Sequence, residues 1–238
     1  MLILAIESSA KPVSVAVYKA PEEGDNGTLL GQYFQNNGFS HSRTLLVLAE
    51  SLLKNLDIVP ADIGLIAVSS GPGSFTGVRI GVSAAKGLAW GLDIPVCGIS
   101  TLEAMAYQIN QPGIILCPVM DARRSQVYNA LFEWSDGTPV RLSDDRAISL
   151  EDLANELRTF SQPVMLVGDG ATVCKSFGEL SNYRDAPELL RYQTAYGVAL
   201  AAMNSEPIPA VELEPFYLRP SQAERERSQS NSKSSSSS

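Results

Sequence analysis

The first hundred residues alternate between apolar runs too continuous for half-exposed strands and stretches with helical spacing. Residues 2–9, LILAIESS, are apolar on both faces for five residues and predict a central buried strand. In PVSVAVYK (12–19), Val13, Val15 and Val17 share one face, and the short polar link before them predicts a hairpin. GDNGTLLGQYFQ (24–35) reads as a turn and a third strand. From Ser40 or Ser42 as N-cap, residues 40–56 read as a helix. A buried strand at 63–71 then runs through the turn GPGSFTG into a helix over 77–91, and 94–100 is a fifth strand. This order predicts a mixed sheet with helices on its faces.

The pattern then partly repeats. Residues 113–123 read as a buried strand ending in an acid, and 126–134 as one alternating strand. Ser149 caps a helix over 149–160, with Asp152 at its third position as an acidic variant of the capping box. Residues 163–171 are strand then turn, and 193–204 form a helix of small residues. Two lobes of similar plan are expected, 1–100 and 101–224. Residues 228–238 carry eight serines and no apolar residue, so 225–238 is expected to be a disordered tail.

The glycine-rich stretch SSGPGSFTGVRIGVSAAKGL (69–88) resembles a phosphate loop only at first sight. From Gly71 the sixth position is Thr76, and from Gly73 it is Val78, so neither start yields G-x-x-x-x-G-K-[ST]. The G-x-G-x-x-G fingerprint also fails, because Thr76 stands where its third glycine belongs. The plain alternative is a tight strand-to-helix turn capped by Ser74 or Thr76.

The helix itself needs more explanation. Gly77, Gly81, Ala84, Leu88 and Gly91 fall on one stripe, and each interior glycine costs about 1 kcal/mol relative to alanine. Ile80, Val82, Ala85 and Leu92 make a second apolar stripe. In the helix at 40–56, Leu45, Ala49, Leu52 and Leu56 form one stripe, which Leu46, Leu48 and Leu53 widen beyond a normal core face. Two helices with surplus apolar surface predict a docking face, unless the second lobe covers them. Arg79 opposes the helix dipole from an early turn and is expected to meet a carboxylate or a partner.

Composition narrows the chemistry. A net charge of −8 with scattered Lys and Arg argues against unaided nucleic-acid binding. Cys97, Cys117 and Cys174 form no C-x-x-C pair and read as reduced, buried thiols. His41 is the single histidine, which excludes two-histidine metal sites and H-E-x-x-H proteases. No apolar run reaches the ~18 residues of a membrane span, and no signal peptide is evident, so the expected address is the cytoplasm.

LAIESS, FSHSRTLL, SSGPGSFTGVRIG, MDARRSQVY and PFYLRPSQAE, in that order from Leu2 to Glu224, resemble the TsaB (YeaZ) family. GPGSFTGVRIG is specific to that family and to its catalytic relative TsaD. The resemblance implies a two-lobed α/β fold like the actin and heat-shock-chaperone ATPases (ribonuclease H-like), with mixed sheets flanked by helices. It implies a non-catalytic subunit for threonylcarbamoyladenosine synthesis in tRNA, one that binds and organises TsaD. TsaE joins that assembly, TsaB-like chains pair with themselves through two helices of the first lobe, and tRNA is reached only through the complex. Those helices correspond to 40–56 and 75–91. The expected interface residues are Leu45, Leu46, Ala49, Leu52, Leu53, Gly77, Arg79, Ile80, Gly81, Ala84 and Leu88.

Neither a cofactor, a metal site nor a catalytic residue of its own is expected. In actin-like ATPases the first strand ends in an acid followed closely by glycine. Here Glu7 is followed by Ser8 and Ser9, so the acid survives and the cradle does not. The histidine pair of TsaD-like relatives is missing its second member, since Leu45 stands four positions after His41. Glu7, Ser8, Asp121 and Asp169 are candidates for a vestigial nucleotide cleft, although Asp169 between two glycines is equally what a plain turn would use. Two other readings remain: an autonomous ATPase or phosphotransferase built on Glu7, Asp121 or Asp169, and, weakest, a glycoprotease.

Overall fold

The computed structural model describes residues 1–22, 27–38 and 41–219; the expected tail at 225–238 and Ser40 lie outside the described residues. The first sheet is built from β1 (Leu2–Glu7), β2 (Val13–Lys19), β3 (Thr28–Gln35), β4 (Ile63–Gly71) and β5 (Val96–Ser100), with α1 (His41–Asn55) and α2 (Phe75–Leu92) between its strands. Its order is β3-β2-β1-β4-β5. β1, β2 and β3 pair antiparallel, whereas β1, β4 and β5 pair parallel. β1 is therefore central, and its residues Ile3 to Glu7 are all buried.

After α3 (Thr101–Tyr107), the second sheet uses β6 (Ile115–Asp121), β7 (Gln126–Asn129), β8 (Phe132–Ser135), β9 (Thr138–Arg141) and β10 (Arg146–Ser149). It is completed by β11 (Val164–Val167) and β12 (Arg184–Asp185), with α4 (Leu150–Leu157) and α5 (Ala171–Ser176) on the way to α6 (Ala195–Ala202). Its order, β10-β7-β6-β11-β12, repeats the first sheet strand for strand, with β8 and β9 as an added hairpin. The directions repeat as well: two antiparallel pairings lead out from β6 on one side and two parallel ones on the other. Two sheets of the same order and strand directions, with helices on their faces, make the mixed α/β fold.

The single strand expected over 126–134 is divided into β7 and β8. Both pair with β6 in one register, Val119↔Asn129 before the break and Leu116↔Phe132 after it. Pro118, between those positions, has no N–H to donate, which interrupts the ladder. Asn129 Nδ2 donates to the Pro118 carbonyl at 3.0 Å and so satisfies it from the side.

One face of the first sheet (Leu4, Ile6, Val13, Val15, Val17) packs on α1 and α2. The other face (Ile3, Ala5, Ala16, Tyr18) packs on α6, which comes from the far end of the chain. Small residues let α6 lie close: a Cβ on Gly197 would stand 2.2 Å from the Ala104 carbonyl oxygen of α3. Ser149 caps α4 by accepting from the Asp152 N–H at 3.0 Å.

Candidate functional site

GPGSFTG is a clasp on the turn that follows β1. Ser74 N–H donates to the Ser9 carbonyl at 2.6 Å, and Ser8 Oγ donates to the Gly77 carbonyl at 2.9 Å. Added Cβ atoms would lie 2.3 Å from the Ser9 oxygen at Gly73, 2.1 Å from the Ser8 oxygen at Gly77 and 2.5 Å from Ser8 Oγ at Gly81. Only glycine permits that approach. Ser74, not Thr76, is the N-cap of α2, accepting from Gly77 N–H.

The stripe expected as a docking face is therefore divided. Gly77 and Gly81 are spent on the chain's own β1 turn. Leu45, Ala49, Leu52 and Leu53 are buried in the core under the first sheet. These six lie on the helices' best-packed faces, turned inward, although Leu45 still floors a groove open to solvent. The remaining expected members are reachable: Leu46 is 51% exposed, Arg79 is exposed, and Ile80, Ala84 and Leu88 are partly exposed. Between the first halves of α1 and α2 lies an open groove of about 620 Å³, walled by Leu46, Phe75, Thr76, Ile80 and Ala84 with Leu45 at its floor.

Arg79 stands on the rim of this groove. Its guanidinium lies 3.8 Å over the Phe75 ring, and its Nε donates to the Tyr217 hydroxyl at 2.8 Å. Tyr217 in turn stacks on Phe75, with ring centroids 4.8 Å apart. A C-terminal strap carries Tyr217 there. Lys86 Nζ donates to the Val211 and Leu213 carbonyls, Leu213 is buried, and Phe216 N–H donates to the Ser70 carbonyl at 2.7 Å.

A second cavity, of about 650 Å³, lies between the two sheets' loops and shares His41, Phe75 and Thr76 with the groove. Lys11, Asp121, Arg123, Asp169 and Arg219 line it. Asp121 Oδ1 accepts from Arg123 N–H at 2.7 Å. Burial raises the Asp169 carboxyl above its ordinary range, against a hydrogen bond from Gln193 and helped by the nearby Asp121 charge.

Glu7 and Ser8, expected beside those acids, are fully buried and do not line this cavity. Glu7 Oε1 accepts from both the N–H and the hydroxyl of Ser9, and its Oε2 accepts from the Ser69 hydroxyl. Burial pushes this carboxyl up from its ordinary value, and those hydrogen bonds pull it down. His41 Nε2 lies 2.7 Å from the Ala10 carbonyl oxygen.

The family model described as "TsaD: tRNA N6-adenosine threonylcarbamoyltransferase" matches residues 37–206. The Bacillus subtilis tRNA threonylcarbamoyladenosine biosynthesis protein TsaB is 35% identical over 179 residues, which cover 75% of this chain and 76% of that protein. The Escherichia coli protein of the same name is 30% identical over 227 residues, covering 92% and 95%. The chain belongs to the TsaB (YeaZ) family. A solved Pseudomonas aeruginosa protein, described as similar to the peptidase YEAZ, superposes with a TM-score of 0.75 at 24% identity. It covers 92% of this chain and 99% of its own. At that identity the likeness speaks for the fold.

Within the TsaB (YeaZ) motifs, the residues missed from the sequence are Phe75, Thr76 and Tyr217. Tyr217 belongs to the PFYLRP motif, and no periodicity ties it to α2. Val47, 58% exposed on α1, was hidden inside a run of leucines. Among the described residues, no helix is long and apolar enough to cross a membrane.

Proposed function

We propose that this TsaB-family chain serves tRNA threonylcarbamoyladenosine synthesis as a non-catalytic subunit that docks TsaD in the α1–α2 groove. The pathway comes from the relatives' names. The observation that carries the docking is the groove itself: Leu46, Ile80 and Ala84 offer apolar walls to solvent on the two helices that the family resemblance implicates. On the same reading two copies pair through these helices when TsaD is absent, TsaE joins the assembly, and tRNA is reached only through the complex. The cytoplasm is the compartment such a role requires.

Light scattering after size-exclusion chromatography, on this chain alone and mixed with TsaD, tests the proposal. A discrete complex lost in Leu46→Asp, and retained in Leu189→Asp at a 90% exposed residue that does not line the groove, supports it. No association, or equal binding by the Leu46 variant, overturns it. Gly81→Leu and Leu52→Asp are unsuitable probes, since both strike the chain's own core.

One observation favours a second reading, an ATPase or phosphotransferase: Asp121, Asp169 and Lys11 meet in one cavity. Against it, Glu7 is engaged by serine donors, and the glycines that would admit phosphate are filled by Ser8 and Ser9. ATP turnover by the purified chain, abolished by Asp169→Asn, would establish this reading. For the glycoprotease, the chain's one histidine is bonded to a backbone carbonyl.

A further inference from the structure

Among the described residues, Arg79 is the one permanently charged side chain lining the α1–α2 groove, and no carboxylate lines it. In a chain of net charge −8, Arg79 makes no ion pair among the described residues. Its guanidinium is nevertheless held between aromatic partners. The guanidinium lies on Phe75, Nε is committed to the Tyr217 hydroxyl, and Tyr217 is itself held on Phe75 by the strap. With Nε engaged, both Nη groups remain, and a guanidinium edge of this kind grips a carboxylate through two hydrogen bonds. A long side chain that already makes such contacts in the free protein loses less entropy on binding than an unsupported one.

We propose that Arg79, positioned by Phe75 and Tyr217, is the charged anchor of the groove, and that the docking partner is an apolar helix presenting an Asp or Glu to it. The inference rests on the docking reading above and names the chemistry that reading leaves open. Apolar walls on one side make the pairing selective: a partner helix without the acid would cover the cation and leave it unpaired, which is strongly unfavourable. Nucleic acid is the poorer occupant. A single cation beside Leu46, Ile80 and Ala84 does not make the basic track that a phosphate backbone requires.

The experiment is titration of the full chain against TsaD at several salt concentrations, with thermal melts confirming that each variant is folded. Arg79→Gln is expected to raise Kd by about thirtyfold and flatten its salt dependence. Arg79→Lys, which keeps the charge and loses the fork, should fall between. Tyr217→Phe, which keeps the ring stack and removes the hydroxyl, should weaken binding several-fold with the salt slope retained. Replacing the matching TsaD acid by Lys should restore binding to Arg79→Glu.

If Arg79→Gln binds TsaD as the native chain does while Leu46→Asp does not bind, the carboxylate anchor is wrong and the docking reading stands. If both variants bind normally, the docking reading fails and the anchor with it. If Arg79→Gln loses affinity only for free tRNA, the anion is a phosphate and the proposal is overturned.

Discussion

Gly77 and Ser8 meet at close range: the Ser8 hydroxyl donates to the Gly77 carbonyl at 2.9 Å, and a Cβ on Gly77 would lie 2.1 Å from the Ser8 carbonyl oxygen. Gly87, ten residues further along the same helix, has open space where its Cβ would be. The same substitution should act in opposite directions at these two sites. Gly77→Ala forces backbone apart and is expected to cost about 3 kcal/mol. Gly87→Ala should stabilise the helix by about 1 kcal/mol. Urea denaturation midpoints at unchanged m-value read both.

Leu46 and Leu52 separate the two faces of α1. Leu52 is 2% exposed in the core, so Leu52→Asp buries an unpaired carboxylate and should prevent cooperative folding. Leu46→Asp, out on the groove wall, should change stability by no more than about 0.5 kcal/mol. Circular-dichroism melts of the two purified variants give the comparison. A Leu46→Asp chain that melts as early as Leu52→Asp would place Leu46 in the core.

Glu7 makes the stability depend on pH in an uncommon direction for a carboxylate. Burial raises its folded-state value above the ordinary 4.5, so between the two values the folded chain binds more protons than the unfolded one. The Glu7 contribution is then largest below pH 4.5 and declines as pH rises through the folded-state value. Glu7→Gln keeps an acceptor for Ser9 and removes the titration. Relative to the native chain, the variant should gain stability as pH rises above 4.5. A difference that is flat across this window, measured by urea denaturation, would contradict the assignment.

The three thiols should be silent in the folded protein. Cys97, Cys117 and Cys174 are buried, and burial pushes the Cys174 thiol up to about 12 and the Cys117 thiol well above its ordinary range. Thiolate is the reactive form, so a disulfide-exchange reagent should titrate none of the three until the chain unfolds. The rate of modification should track the urea unfolding curve. Fast labelling in native buffer would refute this.

Much of the architecture is legible along the chain. Continuous apolar runs mark β1, β4 and β6 because strands buried on both faces need no alternation. The repeated plan of the two sheets is visible because each sheet's strands follow one another in the same order along the chain. The glycine-rich turn is conspicuous because interior helical glycines are unfavourable without a compensating contact. Ser74 and Ser149 announce their helices by side chains that bind only their own first turns.

What covers each stripe was decided by the tertiary fold alone. Periodicity shows that Gly77, Gly81 and Gly91 share a helix face, yet the β1 turn fills the space beside the first two and nothing approaches the third. The same limit placed Glu7 under serine donors instead of in the cleft with Asp121 and Asp169. It also brought Tyr217 onto Arg79 across 138 positions of sequence. Spacing along a chain reports on neighbours within a turn or two of backbone, whereas burial is set by whichever distant segment arrives to pack there.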